Sequence, residues 1–447
     1  MKRLLLIAAV AMAALPVAAL SQGTPTSIAP RADHHAHLLS PAGLQMVNEP
    51  PLPAVNLPAD LAGLLRAMEK GWNDRSALAG LFTEDSLVLD SREPLWIHGR
   101  GEVATYLSEL FARPYRITPV AYGVEGAAGH LAGHSAGHIA GYFTRGEGAS
   151  ARHFGHVLLS LQKGADGVWR VAAETPTFPG PAVREPITAE QLVAHLDEAG
   201  IQRGVVLSDA YWFGSPLMRK AAGDEAANVR AENDWTAKEV ARFPDRLVAF
   251  CSFNPLKDYA LAELDRCATQ LHVKGLKLHF GNSGVDVRNP EHVEKVRRVF
   301  AAADERRLPI AVHLWTGRTY GREDAEIFLR QVLPAAPDVP VQIAHFAGGG
   351  PGYTDEALAV YANAISAGDP RTKNLYFDVA TVADGQSDEV LRTFARRIRQ
   401  VGLARVLFGS DMGPPFARQS WAIFRTTVPL TEEEIRAIAG NTAPYLR

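Results

Sequence analysis

Cysteine is nearly missing from this chain: 447 residues hold two, Cys251 and Cys267. In an oxidising compartment they could pair. The reading favoured here is two buried thiols, one on a strand and one on the helix that follows. An excess of either charge is also missing. Forty-six Lys and Arg stand against 49 Asp and Glu, a formal net charge of -3, which provides no electrostatic reason to expect nucleic acid or an anionic membrane as partner. Long apolar runs are missing too, apart from Leu4 to Leu20 behind Lys2 and Arg3. That run is short for a span of about 20 residues and Pro16 interrupts it. With Ala19-Leu20-Ser21 as a small-x-small cleavage site, residues 1–21 read as a signal peptide, and no stable membrane anchor is expected. No cysteine lies near the cleavage point, which argues against a lipoprotein. The expectation is an exported protein, periplasmic or secreted.

What is present is length, a soluble-protein composition and histidine. A hydrophobic fraction of 47% and a charged fraction of 21% are ordinary for a globular protein. The length suits two domains, one of them a barrel of about 250 residues. The dense cluster Asp33-His34-His35-Ala36-His37 is followed by a Pro-rich stretch (Pro50, Pro51, Pro53, Pro58) that punctuates the chain. Residues 58–178 then show helical spacing at Leu61 to Lys70 and a short helix opening at Leu81-Phe82. Strand patterns follow from Ser86 to Leu89, His134 to Phe143, His153 to Leu161 and Val168 to Ala173. Helices first and strands afterwards predict a compact α+β unit.

From about residue 188 helix and strand alternate strictly. Seven apolar strand segments, beginning at Gly204, Leu247, Gly275, Pro309, Val341, Asn374 and Val406, are separated by helical segments. The His-x-His segment supplies an eighth strand. Eight βα units predict an α/β fold, a (β/α)8 TIM-like barrel built from residues 29–50 and 179–447. Residues 58–178 are then inserted after the first strand, in a loop at the catalytic face, where they would cover or shape the barrel mouth.

The polar residues concentrate at strand ends. His35 and His37 end the first strand, Lys277 and His279 the fourth, His313 the fifth and His345 the sixth, and Asp411 follows the eighth. In a barrel those ends converge on one mouth. Histidines at i and i+2 of a strand point the same way and can hold one metal. Imidazoles with a carboxylate and an open position describe a catalytic zinc-like centre. Tyr211, Trp212 and Phe213 after the second strand and Trp315 after the fifth either line a substrate pocket or pack as loop residues. His130, His134, His138, His153 and His156 form a second concentration inside the insert, but no Asp or Glu accompanies them at ligand spacing.

These motifs, in this order, resemble the amidohydrolase superfamily, and within it the amidohydrolase-related branch that contains aminocarboxymuconate semialdehyde decarboxylase. The likeness rests on Asp33-His34-His35-Ala36-His37, Gly275-Leu276-Lys277-Leu278-His279, Leu308 to His313, Ala344-His345 with its glycines, Gly409-Ser410-Asp411, and Ala439-Gly440-Asn441-Thr442-Ala443. The resemblance implies a divalent metal, zinc first with manganese or iron as alternatives, held by His35, His37, His313 and Asp411. It makes Asp411 and His345 catalytic. Lys277, His279, Trp212 and Trp315 are then substrate-contacting or support the ligands, and His34 faces the helices or is a bystander. In some superfamily members the strand-four lysine is carbamylated and bridges two metals; the branch favours a single ion. The stretch Ala67 to Asp85 and Ile97-His98-Gly99-Arg100 resembles the SnoaL-like family, a cone-shaped α+β fold. The function implied is a metal-dependent hydrolase that cleaves a small-molecule amide, ester, lactone or related bond through a metal-activated water, with Asp411 moving the proton and His345 polarising the carbonyl. The alternatives are decarboxylation of an unsaturated or aromatic acid on the same site, and a non-catalytic binding protein. The sequence leaves open the substrate, one or two ions, and whether the chain forms a homodimer.

Overall fold

The structure, a computed structural model, describes residues 28–47, 52–72, 74–90, 96–110, 115–125, 135–145, 152–177, 185–314, 320–411 and 416–446. The segment read as an export signal, Trp315, His130 and His134, and the side chain of His153, lie outside them. Among the described residues no helix is long and apolar enough to cross a membrane.

In chain order, β1 (Ala32–Ala36) comes first. β2 (Phe82–Val88), β3 (Ile97–His98), β4 (Arg116–Glu125), β5 (Ala136–Arg145), β6 (Arg152–Lys163) and β7 (Trp169–Thr177) follow. The remainder holds β8 (Arg203–Leu207), β9 (Leu247–Ser252), β10 (Gly275–His279), β11 (Ile310–His313), β12 (Val341–Ile343), β13 (Leu375–Asp378) and β14 (Val406–Leu407). Two compact units result, one centred on residues 50–182 and the other on residues 22–49 with 183–447.

The larger unit is an eight-stranded sheet in the order β1-β8-β9-β10-β11-β12-β13-β14, parallel throughout. Its two end strands meet. The His34 N–H donates to Phe408 O (2.8 Å), and the N–H groups of Ser410 and Asp411 both donate to His35 O (3.1 and 2.7 Å), which joins β1 to the end of β14. The sheet is therefore the α/β TIM-like barrel that eight βα units predict. Its strands are buried on both faces, as in a parallel sheet covered by helices: all six residues of β9 are buried. The covering helices carry apolar stripes. Asp388–Val401 buries Leu391, Phe394, Ala395, Ile398 and Val401 and is capped at its start by Ser387, whose hydroxyl accepts from Val390 N. Gly275 is needed where it stands, because a Cβ there would lie 2.5 Å from the Phe250 ring.

The alternation of β9 also decides the cysteines. Val248 and Phe250 join the barrel-interior cluster with Ala32, Val205 and Leu207, while Leu247, Ala249, Cys251 and Phe253 face the helices. The next helix, Ala260–Thr269, packs with Cys267 buried, and the two Cα atoms stand 6.2 Å apart. Cys251 and Cys267 form a disulfide, which corrects the expectation of two thiols. Pairing followed from the direction of two side chains, which spacing alone does not reveal.

The smaller unit is a six-stranded sheet in the order β3-β2-β7-β6-β5-β4, antiparallel except for the β2–β7 pair. Helices Ala59–Gly71 and Arg100–Leu110 share a core with it, including Leu61, Leu65, Met68, Val103, Ile139 and Leu159. The short helix expected at Leu81-Phe82 lies earlier, at Arg75–Ala79, where the Asp74 side chain accepts from the N–H groups of Ser76 and Ala77. Phe82 instead opens β2, fully buried in this core. The chain leaves the barrel and returns to it through a two-way bridge: Leu39 N–H donates to Ile187 O (3.1 Å) and Ile187 N–H to Leu39 O (2.8 Å).

Candidate metal centre at the strand ends

His35 and His37 lie on and just after β1, and both rings turn into the barrel mouth. Their Nε2 atoms are 3.2 Å apart. The Asp411 carboxylate faces the pair, with Oδ1 at 3.4 Å from His35 Nε2 and 3.7 Å from His37 Nε2. Behind each ring stands a second carboxylate. Asp378, at the end of β13, accepts from His35 Nδ1–H at 3.0 Å. Asp209, just after β8, has an oxygen 2.9 Å from His37 Nδ1, although the two are not aligned as a hydrogen bond. The Asp378 contact holds a proton on His35 Nδ1 and leaves the His35 Nε2 lone pair facing His37 Nε2 and the Asp411 carboxylate. Two ring nitrogens and a carboxylate converging this closely suit a cation among the three groups. The donor set, two imidazole nitrogens and a carboxylate, fits a divalent transition metal.

His345 begins a tight turn after β12 in which His345, Phe346, Ala347 and Gly348 all have positive φ. The strain aims its ring into the mouth, 4.8 Å between centroids from His35. Its Nδ1–H donates to Ala380 O at 2.9 Å, so Nε2, 3.9 Å from Asp411 Oδ2, carries the lone pair. Asp411 is itself at φ 68°. His279 and His313 are register partners on β10 and β11, and their rings stack at 4.0 Å with 10° between planes. The N–H of Asn282 donates to His279 Nδ1 (3.1 Å), which places the proton on Nε2 and makes that nitrogen a donor. The His313 ring is 4.8 Å from that of His345, but His313 joins none of the sets of three or more donors lying within 4.8 Å of one another. Lys277 is buried, with Nζ 3.2 Å from His35 Nε2. Trp212 is buried in a short turn after β8, and Tyr211 beside it packs its ring 5.0 Å from that of His279.

Burial dominates the electrostatics. It holds His35 down at about 4, with the Lys277 charge adding to the effect. Burial also depresses Lys277, His279 and His313 below their ordinary ranges. Asp411 runs the other way. Burial would raise it, but His345, His35, His37 and Lys277 outweigh that and bring it to about 2. Asp378 is likewise held below the carboxylate range by His35 and by donors from the backbone, against the effect of burial.

The structure thus brings His35, His37, His345, Lys277 and Asp411 into one cluster, with His279 and His313 stacked beside it. His34 is no bystander. Its Nδ1–H donates to Phe408 O (3.1 Å) and its Nε2 accepts from Ala443 N–H (3.1 Å), which ties the β1–β14 seam to the C-terminal Gly-Asn-Thr-Ala element. Asp33 supports the same seam, accepting from both N–H and Oγ–H of Ser410 (3.1 and 2.5 Å). Sequence reasoning missed Asp209 and Asp378. The signal was the one used for the others, a polar residue at the C-terminal end of a barrel strand, and it applied to the second and seventh strands as well.

Similar solved structures include 5-carboxyvanillate decarboxylase LigW from Sphingomonas paucimobilis, 20% identical, covering 56% of this chain and 79% of that one, with a TM-score of 0.40. Another is an amidohydrolase from Staphylococcus aureus, 16% identical, covering 57% of this chain and 90% of that one, with a TM-score of 0.41. A third is a 5-carboxyvanillate decarboxylase from Novosphingobium aromaticivorans complexed with manganese, 14% identical, covering 56% and 77%, with a TM-score of 0.40. Among curated proteins none matches the chain. Residues 32–444, from the first barrel strand to the C-terminal element, match the family described as Amidohydrolase, and the chain belongs to that family.

Proposed function

We propose that this protein is a metal-dependent hydrolase of a small-molecule amide, ester, lactone or related bond, with His35, His37 and Asp411 holding the ion and His313 completing the set. The observation that carries this reading is the 3.2 Å approach of the His35 and His37 Nε2 atoms beside the Asp411 carboxylate. Zinc is the ion proposed, with manganese and iron as alternatives. A divalent metal there supplies a Lewis acid and an activated water at neutral pH.

The chain's own residues do the rest. Asp411 is anionic at neutral pH and stands where it can accept a proton and return it to a leaving group. His345, with Nδ1–H fixed on Ala380 O, offers a lone pair at Nε2 and is therefore a proton acceptor first; it becomes a donor to a developing oxyanion only once protonated. The neutral donor in the mouth is His279, whose Nε2–H is available to a substrate oxygen. Lys277, its pKa lowered by burial, contacts His35. Tyr211 and Trp212 line the substrate side.

Two readings of the whole chain accompany this one. The insert is proposed to be a SnoaL-like cone, supported by its six-stranded sheet with helices Ala59–Gly71 and Arg100–Leu110 sharing one core. Export is supported by the Cys251–Cys267 disulfide, a bond that persists in oxidising compartments.

The test is metal analysis of purified protein beside a His35→Ala/His37→Ala variant. About one equivalent of metal in the wild type, lost in the variant, is expected. Wild-type protein that takes up no zinc, manganese or iron on reconstitution would sink the proposal. The loaded enzyme is then offered amides, esters, lactones and aromatic carboxylic acids. Release of carbon dioxide from an acid, with no hydrolysis, would replace the hydrolase reading by decarboxylation on the same residues.

A further inference from the structure

We infer that Asp378 is a positioning residue whose single carboxylate sets both the metal-facing nitrogen of His35 and the orientation of His345. This rests on His35 being a ligand, as proposed above. Asp378 is fully buried at the end of β13. Oδ2 accepts from His35 Nδ1–H (3.0 Å) and from Gln342 Nε2–H (2.7 Å). Oδ1 accepts from the backbone N–H groups of His345 (2.9 Å) and Ala380 (3.3 Å). Two residues on, Ala380 O takes the His345 Nδ1–H. One strand end therefore holds His345 at its backbone and at its ring, and holds His35 at the nitrogen opposite the metal side.

Asp378 also lies within 4.8 Å of donor atoms on His35 and His345, so a direct ligand role is the competing reading. Its lone pairs decide against that. Four donors occupy two oxygens, which accept about four hydrogen bonds in all. The Asp411 carboxylate, in contrast, takes no side-chain hydrogen bond among the described residues and faces three histidines.

The Gln342 amide shows why the charge matters. Tyr445 Oη–H donates to Gln342 Oε1, and Gln342 Nε2 also donates to His34 O (3.1 Å), so its NH2 group is locked toward Asp378. An amide at position 378 would meet a donor pair whichever way it turned: Gln342 and His35 on one side, two backbone N–H groups on the other. The side chain able to relent is His35, by moving its proton to Nε2, and a protonated Nε2 cannot bind a metal.

The test uses full-length metal-free protein labelled with 15N at histidine, with the His35 signal assigned by its loss in His35→Gln. Wild type is expected to show the Nδ1–H tautomer at His35. Asp378→Asn is expected to show Nε2–H there, a shifted His345 signal, and zinc affinity by chelator competition reduced about tenfold to a hundredfold. Gln342→Ala, which removes a donor from the same oxygen, is expected to lower the Tm while leaving the tautomer in place. An Asp378→Asn protein that keeps Nδ1–H and wild-type zinc affinity would overturn the inference, as would Gln342→Ala losing zinc to the same degree. If Asp378→Asn does not fold, Asp378→Glu serves: it should keep the Nδ1–H tautomer, and Nε2–H in that variant would also overturn the inference. Wild-type protein with the expected tautomer but no zinc uptake would instead count against the metal proposal alone.

Discussion

A glycine next to the candidate ligands shows how little room the centre has. A Cβ on Gly409 would lie 2.6 Å from the Cβ of His35 and 3.2 Å from that of Ala380. The glycine lets β14 approach β1 closely enough for Ser410 and Asp411 to reach the His35 carbonyl. Gly409→Ala is expected to push His35 off its line to Asp411, costing about 1–3 kcal/mol through overpacking and, on the proposed role of His35, metal content as well. Denaturant unfolding with metal analysis of the same preparation checks both; an alanine variant with wild-type metal content would show that the seam can yield. The motif Gly-Ser-Asp was legible in sequence, but the reason for its first residue was not, since it lies in a contact between the first and last barrel strands.

At the scale of one element, β7 carries a carboxyl group that its surroundings do not satisfy. Glu174 sits opposite Leu159 and Val88 in the smaller unit's sheet, is 1% exposed, and neither of its oxygens has a hydrogen-bond partner among the described residues. Burial pushes it up to about 8 from an ordinary 4.5. Its folded pKa is raised, so the folded state binds the extra proton between those values. The stabilisation is fully present below about pH 4.5 and is lost as pH rises through about 8. Glu174→Gln keeps the shape and removes the ionisation. We predict that the variant's Tm exceeds that of wild type by a margin that grows from pH 5 to pH 9. A margin that stays constant with pH would mean that the carboxyl finds a partner or water. Strand patterning placed a strand at Val168 to Ala173, one residue short of Glu174, and could not show that Glu174 faces inward, because β4 and the helix Arg100–Leu110, parts of the same unit, were missed in sequence.

At the scale of the molecule, the disulfide bridges residues 16 apart in sequence, linking a barrel strand to the helix that covers it. Closing a loop of this length stabilises by about 3 kcal/mol in the chain-entropy account. Cys251→Ser/Cys267→Ser is expected to lose that order of stability while retaining metal, since the bridge lies on the helix-facing side of β9. Denaturation with and without reductant measures it, and an unchanged midpoint would show that packing alone holds the helix.

Strand periodicity, helix spacing and the count of eight βα units are local properties, and they were sufficient for the barrel. The recurrence of polar residues at strand ends was sufficient to draw attention to His35, His37, Lys277, His279, His313, His345 and Asp411. Three things depended on the folded chain. The first is how these side chains meet: His35, His37 and Asp411 converge, and His313 stacks on His279 beside them. The second is the tautomers of His35 and His345, which are set by Asp378 and Ala380, 343 and 35 residues away in sequence. The third is the cysteine pairing. Sequence determines which faces are apolar and where strands end; distances between side chains arise only when the sheet closes, because closure brings residues nearly 380 positions apart, such as Asp33 and Ser410, into hydrogen-bond contact.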